Sequence, residues 1–459
     1  MDKDFDVIIV GSGAAGLGAA LSAAEHAPQS NILVVEADTQ LGGSSRLSGG
    51  HFYAAGTTVQ AAAGEVGDTA DAMYEHYMTL NQWLVEPSVV RRYCDLSAPT
   101  FEWLRQHDVE FLPSGVYASG VGSTRRGHQP TGGGEAVIQA LAGHCQQHPI
   151  EFVMNSRVDR LLQDASGRVT GVSINGDQAT AAAVVLACGG FGANPNLLAE
   201  HYPEAAAAGN WGWYIGSPKA QGDGLTMGKS IGAAITGHNR GLLLVTPGFS
   251  QDLEVLLPPW LILVNQSGRR FVNESAPYTV LGGAITHQAG PVYAIFDHTA
   301  LQAAKPSPIS QAFWVTDTLQ REIANGNVKS GANMEDLASQ IETPPAALAA
   351  TISQVNEDAS QTSDTTFLKP GGLKPITTAP YYAAEVKPAI VCWTGAGLRI
   401  NADTQVLNTQ HQPIPGLYAA GETVGSLHGD RYIGGGGSFG PCIVFGRLAG
   451  TNAIQFAKS

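Results

Sequence analysis

The sequence predicts an α/β fold in which a Rossmann-like sheet is split by an inserted α+β domain. The chain opens with FDVIIVGSGAAGLGAALSAAEHAPQSNILVVEA, which predicts an apolar strand, a glycine turn, an alanine-rich helix and a second apolar strand. Two further apolar runs, AAAVVLACGGF at residues 181–191 and GLYAAGE at residues 416–422, predict buried strands that end in glycines. Because these elements lie toward both ends of the chain, we expect the middle to be an insertion.

The first glycine turn fits the GxGxxG fingerprint of dinucleotide binding. Gly11 would form the tight turn, Gly13 would let the backbone approach a pyrophosphate, and Gly16 would allow close packing of the helix. Glu36 ends the second strand, 20 residues after Gly16, where an acid can accept hydrogen bonds from a ribose. Because the sequence has one credible fingerprint of this kind, we expect FAD held by a single Rossmann unit rather than two nucleotides.

Composition limits the class of protein. A chain of 459 residues, 44% hydrophobic and 14% charged, suits two domains, one of them large. The net charge of -14 gives no field that would attract nucleic acid. The longest apolar runs fall short of the ~20 residues needed to cross a bilayer, and the start lacks signal-peptide features, so we expect a cytoplasmic protein without a membrane span. The five cysteines form no CxxC pair, and we expect no metal site.

Five motifs occur in the order typical of one flavoprotein family: the GxGxxG unit, the acid after the second strand, GGSSRLSGG, the ACGGF strand and the LYAAGE stretch. With them the chain resembles the family of fumarate reductases and 3-ketosteroid dehydrogenases over nearly its whole length. The resemblance implies a split FAD domain in which Glu422 touches the ribityl chain, Ser44 or Ser45 the phosphates, and Val158 the adenine. The expected FAD-binding residues are Gly11, Gly13, Ala14, Ala15, Gly16, Glu36, Gly43, Ser44, Ser45, Ser48, Gly49, Gly50, Val158, Ala187, Gly189, Gly190, Gly421, Glu422 and Ser438.

The positions of these motifs divide the chain into domains. We predict an FAD-binding domain in two parts, residues 1–205 and 372–459, with a substrate-binding, catalytic domain at residues 206–371 between them. The stretch SQTSDTTFLKPGGLKPITTAPYY is polar and carries prolines, so we expect it to return the chain to the FAD-binding domain.

The segment NQSGRRFVNESAPYTV, residues 265–280, differs between branches of this family. In fumarate reductases the residue four places after the NE glutamate is typically an arginine that delivers a proton, and here that place is Tyr278. In ketosteroid 1-dehydrogenases the similar NESxPY stretch ends in the tyrosine that acts as base. The resemblance therefore implies that Tyr278 takes a proton from the substrate. A free tyrosine, with a pKa of about 10, needs a partner for this step, and Tyr117 in FLPSGVYASG is the candidate.

A second informative segment is RYIGGGGSFGPCIVFG, residues 431–446. It resembles the TYAGPGATIGPAMTFG stretch of ketosteroid 1-dehydrogenases, in which a tyrosine hydroxyl and a glycine amide hold the ketone oxygen. The match places Tyr432 and the backbone N–H of Gly436 in these roles. Side chains at the intervening glycines would block the approach of the carbonyl to a main-chain donor.

Three further side chains are weaker candidates for binding substrate. Arg431 suits a carboxylate, because a planar guanidinium matches that group. Arg125 precedes an RGHQPTGG stretch that related flavoproteins place near the cofactor, so a positioning role is equally expected. Trp260 would supply an apolar wall. Each of these residues, and each of the three tyrosines, is also explained by ordinary packing or surface roles.

The predicted activity is FAD-dependent desaturation of a cyclic ketone, either a 3-ketosteroid or a smaller ring such as 4-oxocyclohexanecarboxylate, with an external electron acceptor such as a quinone, a dye or oxygen. The alternative is a fumarate- or urocanate-type reductase, since GETVGSLHGDR resembles the reductase GExxGGxHGxNR. Against it, VCWTGAGL lacks the substrate-clamping histidine of reductases. A third reading, an FAD-stabilised electron carrier, leaves Tyr278 and Tyr432 unexplained.

Overall fold

The computed structural model describes residues 3–307, 310–425, 427–429 and 431–459. Its strands are β1 (Phe5–Val10), β2 (Ile32–Val35), β3 (Phe52–Tyr53), β4 (Phe111–Tyr117), β5 (Gly127–Pro130), β6 (Ile150–Val153), β7 (Val158–Gln163), β8 (Val169–Ile174), β9 (Asp177–Leu186), β10 (Trp213–Tyr214), β11 (Ile235–Thr236), β12 (Gly241–Thr246), β13 (Ile262–Asn265), β14 (Val292–Asp297), β15 (Val328–Gly331), β16 (Tyr381–Thr394), β17 (Gly397–Leu398), β18 (Gln405–Leu407) and β19 (Pro413–Ala419). Its helices are α1 (Ala14–His26), α2 (Gly43–Leu47), α3 (Thr58–Ala62), α4 (Ala70–Leu80), α5 (Pro87–Gln106), α6 (Gly133–Cys145), α7 (Pro195–His201), α8 (Pro203–Ala206), α9 (Asp223–Ser230), α10 (Tyr278–Thr286), α11 (His298–Ala303), α12 (Thr316–Ala324), α13 (Met334–Gln340), α14 (Pro345–Ser360) and α15 (Phe439–Lys458).

The chain divides into two compact units. The first consists of Met1–Ala207, Tyr214–Leu242 and Val391–Ser459, and the second of Ala208–Trp213 and Leu243–Ile390. The predicted insertion, residues 206–371, therefore differs from the second unit at both ends. Residues 214–242 belong to the first unit, and the chain returns to it at residue 391 rather than 372. The return is late because the first half of β16 pairs with β14 and β15, which holds it in the second unit.

The first unit is built on a sheet whose central strands are parallel. The strand order is β18-β19-β9-β1-β2-β6, and β8 and β7 continue from β9. The pairs of β1 with β2 and β9, of β9 with β19, and of β2 with β6 are all parallel. The four segments predicted as buried strands thus lie side by side, although one of them is more than 200 residues away from the others in sequence.

Helices α1 and α15 pack against each other through glycines. A Cβ atom on Gly446 would lie 2.2 Å from the carbonyl oxygen of Ala15, and one on Gly450 would lie 2.0 Å from that of Ala19. Only residues without a side chain allow the two backbones to approach so closely. The N-terminal βαβ segment is therefore completed by a helix from the other end of the sequence.

The second unit has an antiparallel sheet that is covered on both faces. Here β13 pairs with β14, β14 with β16, and β16 with β15. Alternate residues of each strand belong to two separate apolar clusters, so that Leu263 and Phe296 lie in one and Ile262 and Ile295 in the other. Within the described residues, no helix combines the length and the apolar character needed to cross a bilayer.

Candidate active site

A cavity in the first unit is lined by segments that lie far apart in the sequence. Of the residues predicted to contact FAD, its lining contains Gly11, Gly13, Ala14, Ala15, Glu36, Gly43, Ser44, Ser45, Ser48, Val158, Ala187, Gly189, Gly421, Glu422 and Ser438. Several other lining residues were not predicted as FAD contacts from the sequence, among them Ser12, Tyr214, Lys219, Asp223 and Trp393. The motifs that suggested FAD thus meet around one cavity.

Four of the predicted FAD-binding residues, Gly16, Gly49, Gly50 and Gly190, lie outside this lining. A Cβ atom on Gly16 would come within 1.9 Å of a carbonyl oxygen of the first glycine turn. A Cβ atom on Gly50 would come within 2.7 Å of a backbone nitrogen at the start of α6. Gly16 and Gly50 thus allow close approach of backbone segments, whereas a Cβ atom on Gly49 or Gly190 would meet the side chains of His51 or Thr394.

The carboxylate of Glu36 is fixed by the glycine turn beside it. Its Oε2 accepts hydrogen bonds from the N–H of Ser12 at 2.9 Å and from the Ser12 hydroxyl at 2.6 Å. Its Oε1 accepts one from the N–H of Asp38 at 2.8 Å. A carboxylate has about four acceptor sites, so one remains for a ribose hydroxyl. Ser12 occupies a variable position of the GxGxxG fingerprint, which is why the pattern alone did not identify it.

The N-terminus of α1 offers backbone donors to the cavity. Its N-cap residue, Gly13, provides no side-chain acceptor, and the N–H of Ala14 donates to Ser45 Oγ at 3.1 Å. A helix N-terminus attracts negative charge. At Gly11, φ is +100° and a Cβ atom would lie 2.5 Å from the carbonyl oxygen of Ala187. The bare backbone, the helix end and the ribose acid fit FAD.

Glu422 is a buried lining residue from the C-terminal part of the chain. Its Oε1 accepts hydrogen bonds from the Thr394 N–H at 2.8 Å and from the Thr394 hydroxyl at 2.7 Å. The Tyr214 hydroxyl donates to its Oε2 at 3.4 Å. Burial raises the pKa of Glu422 above its ordinary value, and these hydrogen bonds oppose the shift. The residue is therefore strongly oriented but costly to ionise.

Replacing Glu422 with glutamine is expected to raise the thermal unfolding temperature of the apoprotein at pH 8 and to change it little at pH 4. Because the pKa is raised in the folded state, the carboxyl group stabilises the fold at low pH and loses that contribution as pH rises through the folded pKa. Unfolding of both proteins, followed by fluorescence at each pH, measures the difference. An equal shift at the two pH values would contradict the expectation.

The segment Tyr432–Ser438, here called the glycine loop, runs into α15 beside the cavity. The Tyr432 ring is buried, with 6% of its surface exposed. Its hydroxyl oxygen accepts a hydrogen bond from the Ser438 N–H at 2.9 Å and lies 2.9 Å from Ser438 Oγ, to which it donates. Ser438 also lines the FAD cavity. One hydrogen bond therefore separates the Tyr432 hydroxyl from the cofactor site.

Gly436 occupies a position in the glycine loop that excludes a side chain. Its φ is +95°, and a Cβ atom would lie 2.5 Å from the carbonyl carbon of Phe52 and 2.6 Å from the nitrogen of Tyr53. Among the described residues, no protein group accepts a hydrogen bond from the Gly436 N–H with standard geometry. The loop thus presents a main-chain donor close to a buried tyrosine hydroxyl.

Tyr117 ends β4 and lies against the glycine loop. A Cβ atom on Gly435 would come within 2.4 Å of the Tyr117 hydroxyl oxygen. The hydroxyl is hydrogen-bonded to the Nδ1 atom of His51, a residue that the sequence analysis did not identify. Burial raises the pKa of Tyr117 to about 12. The structure therefore brings two of the predicted catalytic tyrosines, Tyr117 and Tyr432, to the same loop.

Tyr278 is the first residue of α10, in the second unit, and its side chain is half-buried. Tyr278 ends the NESAPY segment, which is anchored by Glu274, a residue with a fully buried side chain. Glu274 accepts two hydrogen bonds from Arg270 at 2.8 Å each and pairs with Lys369 at 3.2 Å. The motif glutamate thus has a structural role, and it fixes the start of the helix that carries the tyrosine.

The three weaker candidates have different surroundings. Arg125 pairs with Glu65 at 3.1 Å and donates to the backbone carbonyl of Ala63 at 2.8 Å. Trp260 packs edge-on against Phe296, 5.3 Å between ring centres, in the core of the second unit. Arg431 directly precedes the glycine loop, and its side chain is half-buried.

The turn before the glycine loop is held by Asn81, whose Oδ1 accepts hydrogen bonds from the N–H groups of Gly429 and Arg431 at 3.1 and 3.2 Å. His428 packs in this turn, 5.2 Å from the Tyr432 ring, and burial lowers its pKa to about 3. Two other residues of the GETVGSLHGDR stretch, Ser426 and Asp430, lie outside the described residues.

Comparison with known proteins identifies the family. Residues 6–438 match the family described as the FAD binding domain. The chain is 31% identical over 474 residues to a fumarate reductase (cytochrome) of Shewanella frigidimarina, an alignment that covers 99% of this chain and 77% of that protein. It is 25% identical to the 4-oxocyclohex-2-ene-1-carboxylate 5-dehydrogenase of Sinomonas cyclohexanicum, with 99% and 94% covered.

Among solved structures, the 3-ketosteroid-Δ4-(5α)-dehydrogenase of Rhodococcus jostii RHA1, in complex with 4-androstene-3,17-dione, matches with a TM-score of 0.81 at 26% identity, covering 99% of this chain and 97% of that one. The predicted resemblance, fold class and FAD cofactor are thereby confirmed. The relatives include both dehydrogenases and reductases, so membership alone does not choose between them. The chain belongs to the FAD-binding family of fumarate reductases and ketosteroid dehydrogenases, and it is a flavin-dependent oxidoreductase.

Proposed function

We propose that the protein is an FAD-dependent desaturase that introduces a carbon–carbon double bond next to the ketone of a cyclic substrate. The observation that carries this proposal is the buried hydroxyl of Tyr432, one hydrogen bond away from a residue that lines the FAD cavity. A leucine or glycine at this place would give no donor for a carbonyl oxygen.

Tyr432 and the Gly436 N–H are the proposed donors to the ketone oxygen. The Tyr432 oxygen already accepts a hydrogen bond from the Ser438 N–H, which polarises the hydroxyl and makes it a better donor. Its proton, now shared with Ser438 Oγ, can turn toward a bound carbonyl. Donors fixed before the reaction stabilise the negative charge of an enolate most, because no reorganisation is needed.

Tyr278 is the proposed base that takes the proton from the carbon next to the ketone. The Glu274 anchor supports this role, because it fixes the segment from which Tyr278 projects. Tyr117 is the proposed partner that accepts a proton from Tyr278, which would otherwise stay protonated at neutral pH. FAD, when bound, supplies the oxidation by accepting hydride from the neighbouring carbon.

The proposed substrate is a ring that bears a ketone, with 4-oxocyclohexanecarboxylate and 3-ketosteroids as the two candidates. The Sinomonas relative acts, by its name, on an oxocyclohexene carboxylate, and the Rhodococcus structure holds a steroid ketone. Arg431 lies directly before the glycine loop, in the turn that Asn81 holds. Its guanidinium would bind the carboxylate of the smaller ring. This favours the smaller ring.

A flavin reductase of an unsaturated carboxylate is the second candidate function. It is favoured by the 31% identity to a fumarate reductase over 99% of this chain. In that reading Arg431 binds the carboxylate, and an external donor supplies electrons. Reductases of this family typically have an arginine at position 278, and the tyrosine found there argues against the reductase function.

The two functions can be separated by mixing the oxidised holoenzyme anaerobically with 4-oxocyclohexanecarboxylate or with a 3-ketosteroid, and following the flavin band near ~450 nm. Bleaching by either ketone, with formation of the unsaturated product, would support the desaturase and identify the ring size. If both ketones leave the flavin oxidised while fumarate or urocanate reoxidises the reduced protein, the reductase is correct.

A further inference from the structure

His51 and Tyr117 form a pair at the edge of the glycine loop. The Tyr117 hydroxyl and His51 Nδ1 are hydrogen-bonded, and the two rings meet edge to face with their centres 5.4 Å apart. Gly127, the cross-strand partner of Tyr117, leaves room for the tyrosine ring, since a Cβ atom there would lie 2.7 Å from it. The ring of Tyr117 is thus held in one orientation, with its hydroxyl toward His51.

The same hydroxyl faces the glycine loop on its other side. Gly435 is in contact with the Tyr117 hydroxyl oxygen, and the Gly435 N–H donates to Ser119 Oγ, two residues after Tyr117. Tyr117 therefore stands between the loop that carries the proposed carbonyl donors and a histidine that is half-buried rather than enclosed.

The two pKa shifts fix the resting protonation state of the pair, a protonated phenol beside a neutral imidazole that can accept a proton. Burial raises the pKa of Tyr117 to about 12 and lowers the pKa of His51 below its ordinary value, so near neutral pH the phenol is protonated and the imidazole is neutral. Nδ1 is then an acceptor, and the proton of the imidazole is on Nε2. Among the described residues, Tyr117 is the titratable group hydrogen-bonded to His51, and burial lowers the His51 pKa.

We propose that His51 is the positioning residue through which the substrate proton leaves, by accepting the Tyr117 proton at Nδ1. This inference rests on the proposed desaturase function. The carbon–hydrogen bond next to the ketone breaks, its electron pair enters the enolate, and its proton replaces the one that Tyr278 passes to Tyr117 and Tyr117 passes to His51. The second hydrogen leaves the neighbouring carbon as hydride and is accepted by FAD. The imidazolium then loses its proton to water, which completes the balance.

The sharpest test uses His51→Asn, because an asparagine oxygen can take the hydrogen bond of Nδ1 but cannot hold the proton. We expect this variant to bind FAD and unfold at the wild-type temperature, and to lose kcat about 100-fold with little change in KM, a typical loss for removed acid–base catalysis. The wild-type kcat should fall at acid pH as His51 becomes protonated, at a lower pH than an ordinary histidine would give because burial lowers the His51 pKa, and the variant should lack that acid limb. His26→Ala, at an exposed histidine, is the matched control.

Rescue by imidazole gives a second readout. In His51→Ala, added imidazole should restore kcat, with the restored rate rising as the fraction of neutral imidazole rises. In the double variant His51→Ala, Tyr117→Phe it should have no effect. If His51→Asn keeps kcat within about twofold, or if imidazole restores nothing and the acid limb persists, His51 is structural and the inference is wrong while the desaturase stands. If the wild type oxidises neither ketone, the proposed function fails and this inference fails with it.

Discussion

Replacing Tyr278 with phenylalanine is expected to lower kcat by about 10³-fold and to leave FAD bound. The change removes one hydroxyl, and positioned acid–base groups contribute about 10²–10⁴ to rate. FAD should stay bound because the cavity is lined by residues of the first unit, whereas Tyr278 belongs to the second. Stopped-flow measurement of flavin bleaching by the ketone gives the rate, and the visible spectrum gives the FAD content.

Tyr381→Phe is the matched control for this substitution. Tyr381 also belongs to the second unit, and its hydroxyl donates to the carbonyl oxygen of Thr377 at 3.1 Å at an exposed position. Its loss should leave the rate of bleaching unchanged. A Tyr278→Phe protein that bleaches within about fivefold of the wild-type rate would remove Tyr278 from the proposed mechanism.

Gly436→Ala is expected to reduce kcat/KM for the ketone by at least about 10²-fold, the usual cost of one oxyanion-hole donor. The methyl group would meet backbone atoms of Phe52 and Tyr53 at 2.5 and 2.6 Å, and φ of +95° strains any residue with a side chain. The loop must shift, and the main-chain donor shifts with it. Steady-state kinetics, together with the thermal unfolding temperature, measures both consequences.

Gly143→Ala provides the control for Gly436→Ala. Gly143 lies exposed in α6, and a Cβ atom there would have nothing within 4 Å. In such a place alanine stabilises a helix by up to about 1 kcal/mol, and the kinetics should not change. If Gly436→Ala proved as active as Gly143→Ala, the Gly436 N–H would have no part in binding the ketone.

The fold was predictable because its central strands and its glycine fingerprint are local signals. An apolar run followed by closely spaced glycines marks β1, the end of β9 and β19 in the sequence itself. The boundary at residue 391 was not predictable in this way. The polar stretch before β16 predicts a linker, but the pairing of β16 with β14 and β15 is a long-range contact that no local pattern reveals.

Site residues were predictable where they belong to a sequence motif of known local structure. Glu36 and the serines after it follow from the fingerprint and the resemblance. Ser12 was missed because it occupies a variable position of the fingerprint, and Tyr214 because it reaches the cavity only through tertiary contacts. His51 carries no such signal, because a histidine after two glycines is compatible with any loop. The proposed role of His51 follows from its hydrogen bond to Tyr117, a residue 66 positions away in sequence.

The glycine contacts between α1 and α15 also bear on how the protein is made. The ribosome synthesises β1, α1 and the phosphate-binding turn first, and then the whole second unit, before it reaches the glycine loop and α15. Until α15 arrives, the emerging chain has the FAD turn but neither Ser438 nor the helix that packs on α1. Contacts of such high sequence separation form late and slowly. We therefore expect FAD to bind only after both parts of the first unit have been synthesised, and a chain interrupted within the second unit to lack flavin.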